Sequence, residues 1–161
     1  MRNACVAHRG FSSKAPENTL TAFKMAMEIP IVQWIEIDVQ LSADGIPVVI
    51  HDFTLDRTTN GTGKVKDYTW QQIQRLDAGS WKGRAFRGER IPSLDEVLRL
   101  CCGRVRLNIE LKTSGSMYPG LEQAVIKRVE AYHMEQDVVL TSFDTNALRR
   151  VKEINPSFRT G

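Results

Sequence analysis

The chain has 161 residues, of which 42% are hydrophobic and 25% are charged, as is typical of a folded globular domain. The net charge is only +3 and the basic residues are scattered, so the composition gives no reason to expect nucleic acid as a partner. The apolar runs are far shorter than the roughly 20 residues of a membrane span, and the first residues lack a secretory signal, so we expect a cytoplasmic protein without a membrane span.

The first predicted elements are a short strand and a helix. Residues 4–7 form an apolar run of strand length. After a loop, Leu20, Phe23 and Met27 recur at the spacing of one helix face. Pro30 marks the end of this helix because proline cannot continue it.

The second strand is predicted at 34–41 and carries its polar residues on one face. Apolar residues alternate there in period two with Glu36, Asp38 and Gln40. The apolar side chains of this strand have to pack against the outer helices. We therefore expect the polar side chains on its other face to point into the barrel interior.

A hairpin is predicted directly after this strand. Asp44 and Gly45 are a signal for a two-residue loop, and the extended run at 47–50 is the returning strand. A loop of two residues sets a register in which Asp38 lies opposite His51.

The middle of the chain has a different character. Residues 53–90 are rich in glycine, threonine and charged residues, and the one helix signal is a capping box at 69–72. We expect this stretch to be an insertion that leaves the core.

The second half alternates helices and strands again. The predicted elements are a helix opened by a capping box at 93–96 and closed by Gly103, a strand at 106–111, a helix at 121–132, a strand at 138–141, a helix capped by Asp144 or Thr145 that ends before Pro156, and the start of a further strand after 156. Strands alternating with helices predict an α/β fold of the (β/α)8 or TIM-barrel type. A closed barrel needs about 250 residues, so we expect about the first half of one.

Polar side chains fall at the carboxyl ends of the predicted strands, where parallel barrels carry out their chemistry. Taken singly, each is compatible with a solvated strand face or a surface ion pair. Burial of the charged face of the strands would favour a functional role, because unpaired buried charge is unfavourable. The residues concerned are His8, Arg9, Glu36, Asp38, His51, Glu110 and Lys112.

Five of these residues predict a metal and an anionic ligand. Glu36, Asp38 and Glu110 offer three hard oxygen ligands, which suit Mg²⁺ or Ca²⁺ better than zinc. Arg9 and Lys112 are donors without acceptor capacity, so two cations beside a metal indicate a bound phosphate.

His8 and His51 are the candidate acid and base. An unperturbed imidazole has a pKa of about 6.5 and exchanges protons near neutral pH. One histidine on each side of a phosphodiester could serve the nucleophile and the leaving group. The sequence does not assign which histidine has which role.

Three residues before the first helix have open roles. Glu17 and Asn18 could contact the site. Asn18 or Thr19 is equally suited to cap the helix that follows.

The motifs that contain these residues occur in a series along the whole chain. They are His8-Arg9-Gly10, Glu17-Asn18-Thr19, Glu36-Ile37-Asp38-Val39, 44–52 ending in His51-Asp52, Arg57-Thr58-Thr59-Asn60-Gly61-Thr62-Gly63, Ile91-Pro92-Ser93-Leu94 and Asn108-Ile109-Glu110-Leu111-Lys112. The series closely resembles the N-terminal part of the glycerophosphodiester phosphodiesterases.

This resemblance implies a metal-dependent enzyme with a TIM-barrel fold and an inserted segment after the His-Asp motif. It implies that Glu36, Asp38 and Glu110 bind the metal, that His8 and His51 are the acid and base, and that Arg9 and Lys112 contact the phosphate. The same roles follow from the residue chemistry above.

The resemblance also implies four further strands that this sequence lacks. We therefore expect 1–161 to be one incomplete barrel domain with its insertion at about 53–90. It is either a fragment of a longer protein or half of an assembly in which a second copy completes the sheet.

The expected reaction is metal-dependent hydrolysis of small glycerophosphodiesters to glycerol 3-phosphate and an alcohol, in lipid and glycerol metabolism. One alternative is a lysophospholipase D that acts on lipid phosphodiesters through the same metal and phosphate site. Another is a fragment that binds a phosphodiester without catalysis.

Overall fold

A computed structural model describes residues 4–161 as a curved sheet flanked by helices. The strands are β1 (Cys5–His8), β2 (Val32–Leu41), β3 (Pro47–Val49), β4 (Arg106–Leu111), β5 (Val138–Thr141) and β6 (Arg159–Thr160). The helices are α1 (Leu20–Met27), α2 (Trp70–Ile73), α3 (Leu94–Cys101), α4 (Leu121–Ala131) and α5 (Thr145–Ile154), with short 3₁₀ turns at Val65–Asp67 and Arg84–Phe86. Within residues 4–161, no helix has both the length and the apolar character needed to cross a membrane.

The strand order is that of one side of a parallel barrel. Neighbouring strands run β1-β2-β4-β5-β6, and every neighbouring pair in this row is parallel. The strand expected after 156 is β6. Among the described residues, β1 and β6 each pair on one side, whereas β3 pairs antiparallel with the end of β2.

The alternation in β2 separates the core from the polar face, as predicted. Ile35, Ile37 and Val39 have no exposed surface and belong to the main hydrophobic cluster, which also contains the apolar faces of α3, α4 and α5. The intervening acidic side chains therefore point to the inner face of the sheet. Glu36 and Asp38 are buried there.

The register of the hairpin after β2 differs by one residue from the predicted one. Gly45 has a φ of +76°, and its amide donates to the carbonyl of Ser42 over 3.0 Å. A left-handed glycine after a tight turn makes a loop of three residues instead of two. The amide of Ile50 then donates to the carbonyl of Asp38 over 3.0 Å. The prediction that Asp38 lies opposite His51 is wrong.

Residues 53–90 leave the sheet and build a small core of their own. This stretch contains α2 and the two 3₁₀ turns. Its apolar side chains pack against the inner face of β3 in a second hydrophobic cluster. The cluster consists of Val48, Ile50, Leu55, Val65, Ile73, Ala78 and Ile91.

Candidate active site

Three carboxylates meet at the carboxyl ends of β2 and β4, and we call them the carboxylate cluster. Glu36 and Asp38 lie on β2, and the parallel register places Glu110 of β4 beside Asp38. One oxygen from each residue lies within 4.8 Å of the other two. The side chain of Asp38 is fully buried, and that of Glu110 is 17% exposed.

The environment of Glu36 disfavours its charge. Burial raises the pKa of Glu36 to about 7, and the charges of Asp38 and Glu110 act in the same direction. The backbone amide of Arg9 donates to Oε2 over 3.0 Å and opposes this rise in pKa only in part.

Burial also raises the pKa of Asp38. The side-chain amide of Asn18, which donates to Oδ2 over 2.8 Å, opposes this rise, as do the charges of His51 and Arg9. Polar groups from several segments of the chain therefore surround one buried carboxylate.

The cluster has the properties expected of a cation site. Oε1 of Glu36 and Oδ1 of Asp38 are buried without a hydrogen-bond partner among the described residues. Buried polar atoms are rarely left in this state. A divalent cation would bind both oxygens and remove the repulsion among the three carboxylates. The residues present therefore fit a hard cation such as Mg²⁺ or Ca²⁺.

Two residues in a left-handed backbone conformation lie beside the cluster. Arg9 and Asn18 both have a φ of 57°, and the amide of Asn18 donates to the carbonyl of Arg9 over 3.1 Å. Such conformations are unfavourable for residues other than glycine and concentrate at functional sites. Asn18 thus contacts the site, whereas Thr19 caps α1 by accepting the amide of Ala22 over 3.2 Å.

The two predicted cations flank β2. Arg9 follows β1, and its Nε lies 3.2 Å from Oδ2 of Asp38. Lys112 follows β4, and its Nζ lies 2.9 Å from Oε1 of Glu110 and 3.8 Å from Oδ1 of Asp38. Both cations therefore neutralise part of the cluster's charge and stay within reach of a bound anion.

The structure places His8 at the rim of the site. His8 pairs with Glu36 across β1 and β2, and its Nε2 lies 3.8 Å from Oε2 of Glu36. The imidazole is 66% exposed, so solvent and substrate can reach it.

His51 is held by a turn rather than by strand pairing. Nε2 of Gln40 lies 2.7 to 3.0 Å from the carbonyl oxygens of Ile50, His51 and Asp52, and its two N–H groups are shared among them. Tyr118 fixes this amide by donating its hydroxyl to Oε1 of Gln40 over 2.6 Å. The backbone at 50–52 therefore turns around the buried side chain of Gln40 at the edge of the site.

The imidazole of His51 has a defined orientation. Its Nδ1 lies 2.7 Å from Oδ1 of Asp52. Hydrogen bonds from Arg57 hold the pKa of Asp52 well below its usual range, so this carboxylate is ionised and can only accept. Nδ1 of His51 therefore donates, and Nε2 remains for proton exchange.

Sequence reasoning missed two of these supports. Gln40 shares the period-two face of Glu36 and Asp38, so its inward direction was available from the sequence, but its three carbonyl partners were not. Tyr118 lies 78 residues from Gln40, and no local pattern points to it.

The chain matches known proteins along nearly its whole length. The sequence model of the glycerophosphoryl diester phosphodiesterase family matches residues 8–161. The chain belongs to this family. A glycerophosphodiester phosphodiesterase of Caldanaerobacter subterraneus subsp. tengcongensis is 49% identical over 162 aligned residues, which cover 100% of this chain and 66% of that protein.

Solved structures of the family share the fold. The glycerophosphodiester phosphodiesterase of Agrobacterium tumefaciens superposes with a TM-score of 0.88 at 40% identity, over 96% of this chain and 64% of that one. A phosphodiesterase of Oleispira antarctica in complex with the product sn-glycerol-3-phosphate superposes with a TM-score of 0.83 at 39% identity, over 97% of this chain and 64% of that one. The predicted α/β TIM-barrel class is confirmed, and the described residues form part of the barrel. The chain spans about two thirds of the length of these family members.

Proposed function

We propose that this chain carries the active site of a metal-dependent phosphodiesterase that hydrolyses glycerophosphodiesters to glycerol 3-phosphate and an alcohol. The observation that carries the proposal is the carboxylate cluster, in which two buried oxygens lack a partner while two cations and two histidines lie around it. The product complex of the Oleispira antarctica relative supports the substrate class.

In this proposal Glu36, Asp38 and Glu110 hold a divalent cation, Ca²⁺ or Mg²⁺. A cation held there would supply Lewis-acid chemistry, in that it would polarise the phosphoryl oxygens and lower the pKa of the attacking hydroxyl or water. Asn18 keeps Asp38 oriented by its hydrogen bond to Oδ2.

Arg9 and Lys112 bind the phosphate. Nε of Arg9 faces Asp38 and Nη1 donates to Glu17, so the guanidinium is fixed beside the carboxylate cluster, where its charge would attract a phosphate. Lys112 supplies a second positive charge from the other side of β2. Donors fixed in advance at this position stabilise the charge that develops in the transition state.

His8 and His51 transfer the protons. Nε2 of His51 is the nitrogen that exchanges a proton, because Nδ1 is held by Asp52. His8, exposed at the rim, is placed to serve the opposite side of the diester.

The test is the release of glycerol 3-phosphate from glycerophosphocholine by this chain, with added Ca²⁺ or Mg²⁺ and again with a chelator. We expect turnover that the chelator abolishes. Turnover that is insensitive to the chelator would contradict the metal role. Metal binding without turnover would instead support a fragment that binds a phosphodiester without catalysis.

One feature, a cavity with aromatic rings beside the phosphate site, supports a lipid substrate as the alternative. A cavity of about 460 Å³ beside Glu110 and Lys112 is lined by Phe53 and Phe143, and Phe143 is 92% exposed. Apolar rings beside the phosphate site suit an acyl-bearing diester. Faster release of choline from lysophosphatidylcholine than from glycerophosphocholine would establish lysophospholipase D activity.

Self-association and location belong to the same proposal. β1 and β6 each pair on one side among the described residues, and unpaired strand edges are sites for pairing with a second copy. Light scattering after size exclusion tests whether a second copy pairs with these edges: a dimer mass would support it, and a monomeric active species would contradict it. The cytoplasmic location stays a prediction, which cell fractionation tests. The single domain over 1–161 also stays a prediction, which limited proteolysis tests.

A further inference from the structure

One of the motifs in the sequence has no part in the mechanism above. Arg57 begins the stretch 57–63, which lies in the insertion. Its guanidinium lies between two carboxylates and binds each through two hydrogen bonds. Nε and Nη2 donate to Asp52 over 2.7 and 2.9 Å, and Nη2 and Nη1 donate to Glu17 over 2.7 and 3.0 Å.

Each of these carboxylates also contacts a residue of the site. Oδ1 of Asp52 lies 2.7 Å from Nδ1 of His51. Oε1 of Glu17 accepts from Nη1 of Arg9 over 3.0 Å. One guanidinium therefore links the proton-transferring side of the site to the phosphate-binding side. We call these five residues the Arg57 network.

The charges alternate along this network. Burial raises the pKa of Glu17, but Arg57 and Arg9 together outweigh it and lower that pKa, and the hydrogen bonds from Arg57 lower the pKa of Asp52 as well. Both carboxylates are thus ionised acceptors. A forked guanidinium fixes the plane of each one in a way that a point charge cannot.

We propose that Arg57 is a positioning residue that holds His51 and Arg9 in their working orientations through Asp52 and Glu17. This inference rests on the proposed function, because it presupposes the proposed roles of His51 in proton transfer and of Arg9 in phosphate binding.

The backbone of the turn at 50–52 and the side chains around it are held by different residues. Gln40 holds the backbone at 50–52 through its three hydrogen bonds, and Arg57 takes no part in them. Arg57 is 44% exposed but is forked onto two carboxylates, so thermal unfolding of Arg57→Gln measures its contribution to stability separately from the kinetics. Loss of Arg57 should therefore release the His51 ring and the Arg9 side chain while the turn stays folded.

Kinetics give the first test. We expect Arg57→Gln to lower kcat and raise KM for glycerophosphocholine, each by about 10- to 100-fold, as is usual for partners that orient site residues. Asp52→Asn should lower kcat alone, and Glu17→Gln should raise KM alone. In the Asp52→Asn, Glu17→Gln background, Arg57→Gln should add less than about 2-fold, because its partners are gone.

The matched control is Arg87→Gln, a change of the same type in the same insertion at an exposed arginine that forms no ion pair within residues 4–161. It should leave both constants unchanged. An undiminished effect of Arg57→Gln in the double-variant background would overturn the proposal.

The second test needs no turnover. The chain has three histidines, so the His51 signals in a ¹⁵N NMR spectrum can be assigned from His51→Gln. We expect His51 of the wild type in the Nδ1–H form and His51 of Arg57→Gln in a mixture of both tautomers. An unchanged tautomer in Arg57→Gln would contradict the positioning role.

The two tests also separate this inference from the proposed function. A wild type that binds metal and releases no glycerol 3-phosphate would refute the activity, whereas the NMR result would still decide the role of Arg57. If thermal unfolding shows that Arg57→Gln does not fold, Arg57→Lys replaces it. Lysine keeps the charge but lacks the fork, so we expect the same loss of the fixed tautomer.

Discussion

The carboxylate cluster and the Arg57 network are neighbouring groups of charged residues with opposite electrostatics. In the cluster, burial and mutual repulsion raise the pKa of Glu36 and of Asp38, and two oxygens lack partners. In the network each carboxylate contacts a cation, and the pKa values of Glu17 and Asp52 are lowered. Each carboxylate of the network is paired as folded, whereas the cluster keeps two buried oxygens that the proposed cation would bind.

A second glutamate shows that burial alone does not make a site. Glu122 on α4 is 3% exposed, which is less than the 7% of Glu36. Its Oε1 accepts from Nε and Nη2 of Arg150 on α5 over 2.9 and 2.7 Å. The unpaired oxygen of Glu36, rather than its depth, distinguishes it from Glu122 and supports its proposed role as a metal ligand.

The largest expected effect separates these two glutamates by activity. Glu36→Gln should lower metal-dependent turnover by about 10³-fold, because a metal's stabilisation of transition-state charge is worth several kcal/mol. Glu122→Gln should keep its turnover per folded molecule. Glycerol 3-phosphate release and calorimetric titration with Ca²⁺ or Mg²⁺ check both variants, and near wild-type activity of Glu36→Gln would show that the ligand assignment is wrong.

The free energy of unfolding should rise in Glu36→Gln and fall in Glu122→Gln. With a chelator at pH 8, Glu36→Gln removes an unfavourable buried charge and should stabilise the fold by on the order of 3 kcal/mol. Glu122→Gln leaves Arg150 without its ion pair and should destabilise by about 1 to 3 kcal/mol. Urea unfolding measures both values, and a change of the same sign in the two variants would contradict the distinction drawn between them.

The pH dependence of stability follows from the raised pKa of Glu36. Between its unfolded value of 4.5 and its folded value of about 7, the folded chain binds more protons than the unfolded chain. Stability without metal should therefore fall as the pH rises from 5 to 8. Glu17 and Asp52, whose pKa values are lowered in the folded chain, are ionised in both states above about pH 6, so they add almost nothing to the slope there.

Thermal unfolding at several pH values with a chelator checks this prediction. The decline should flatten in Glu36→Gln, and saturating Ca²⁺ or Mg²⁺ should reverse it. A wild-type stability that rises from pH 5 to pH 8 without metal would contradict the assigned charge state of the cluster.

The smallest expected effect lies away from both groups. Gly45 has a φ of +76°, and a Cβ there would meet nothing within 4 Å among the described residues. Gly45→Ala should therefore destabilise by about 1 kcal/mol through backbone strain alone. Metal affinity and the His51 tautomer should stay unchanged, and a change in either would show that the hairpin loop shapes the site.

Much of the fold could be predicted from the sequence because its signals are local. The period-two pattern of β2 predicted which side chains pack in the core and which face inward, and Glu36 and Asp38 lie as expected. The capping box at Ser93 opens α3 as predicted. The backbone amide of Ser93 donates to the carboxylate of Glu96 over 2.8 Å. Strands β4 and β5 have the predicted bounds.

The sequence by itself thus determined the order of the elements, the inward acidic face and the family. The tertiary structure alone decided how His51 is held, that Asn18 binds Asp38, and that Arg57 joins two sides of the site. The physical reason is range. Periodicity and capping depend on neighbours within a few residues, whereas the bonds of Asn18 to Asp38 and of Arg57 to Glu17 join residues 20 and 40 positions apart, which only the folded chain brings together.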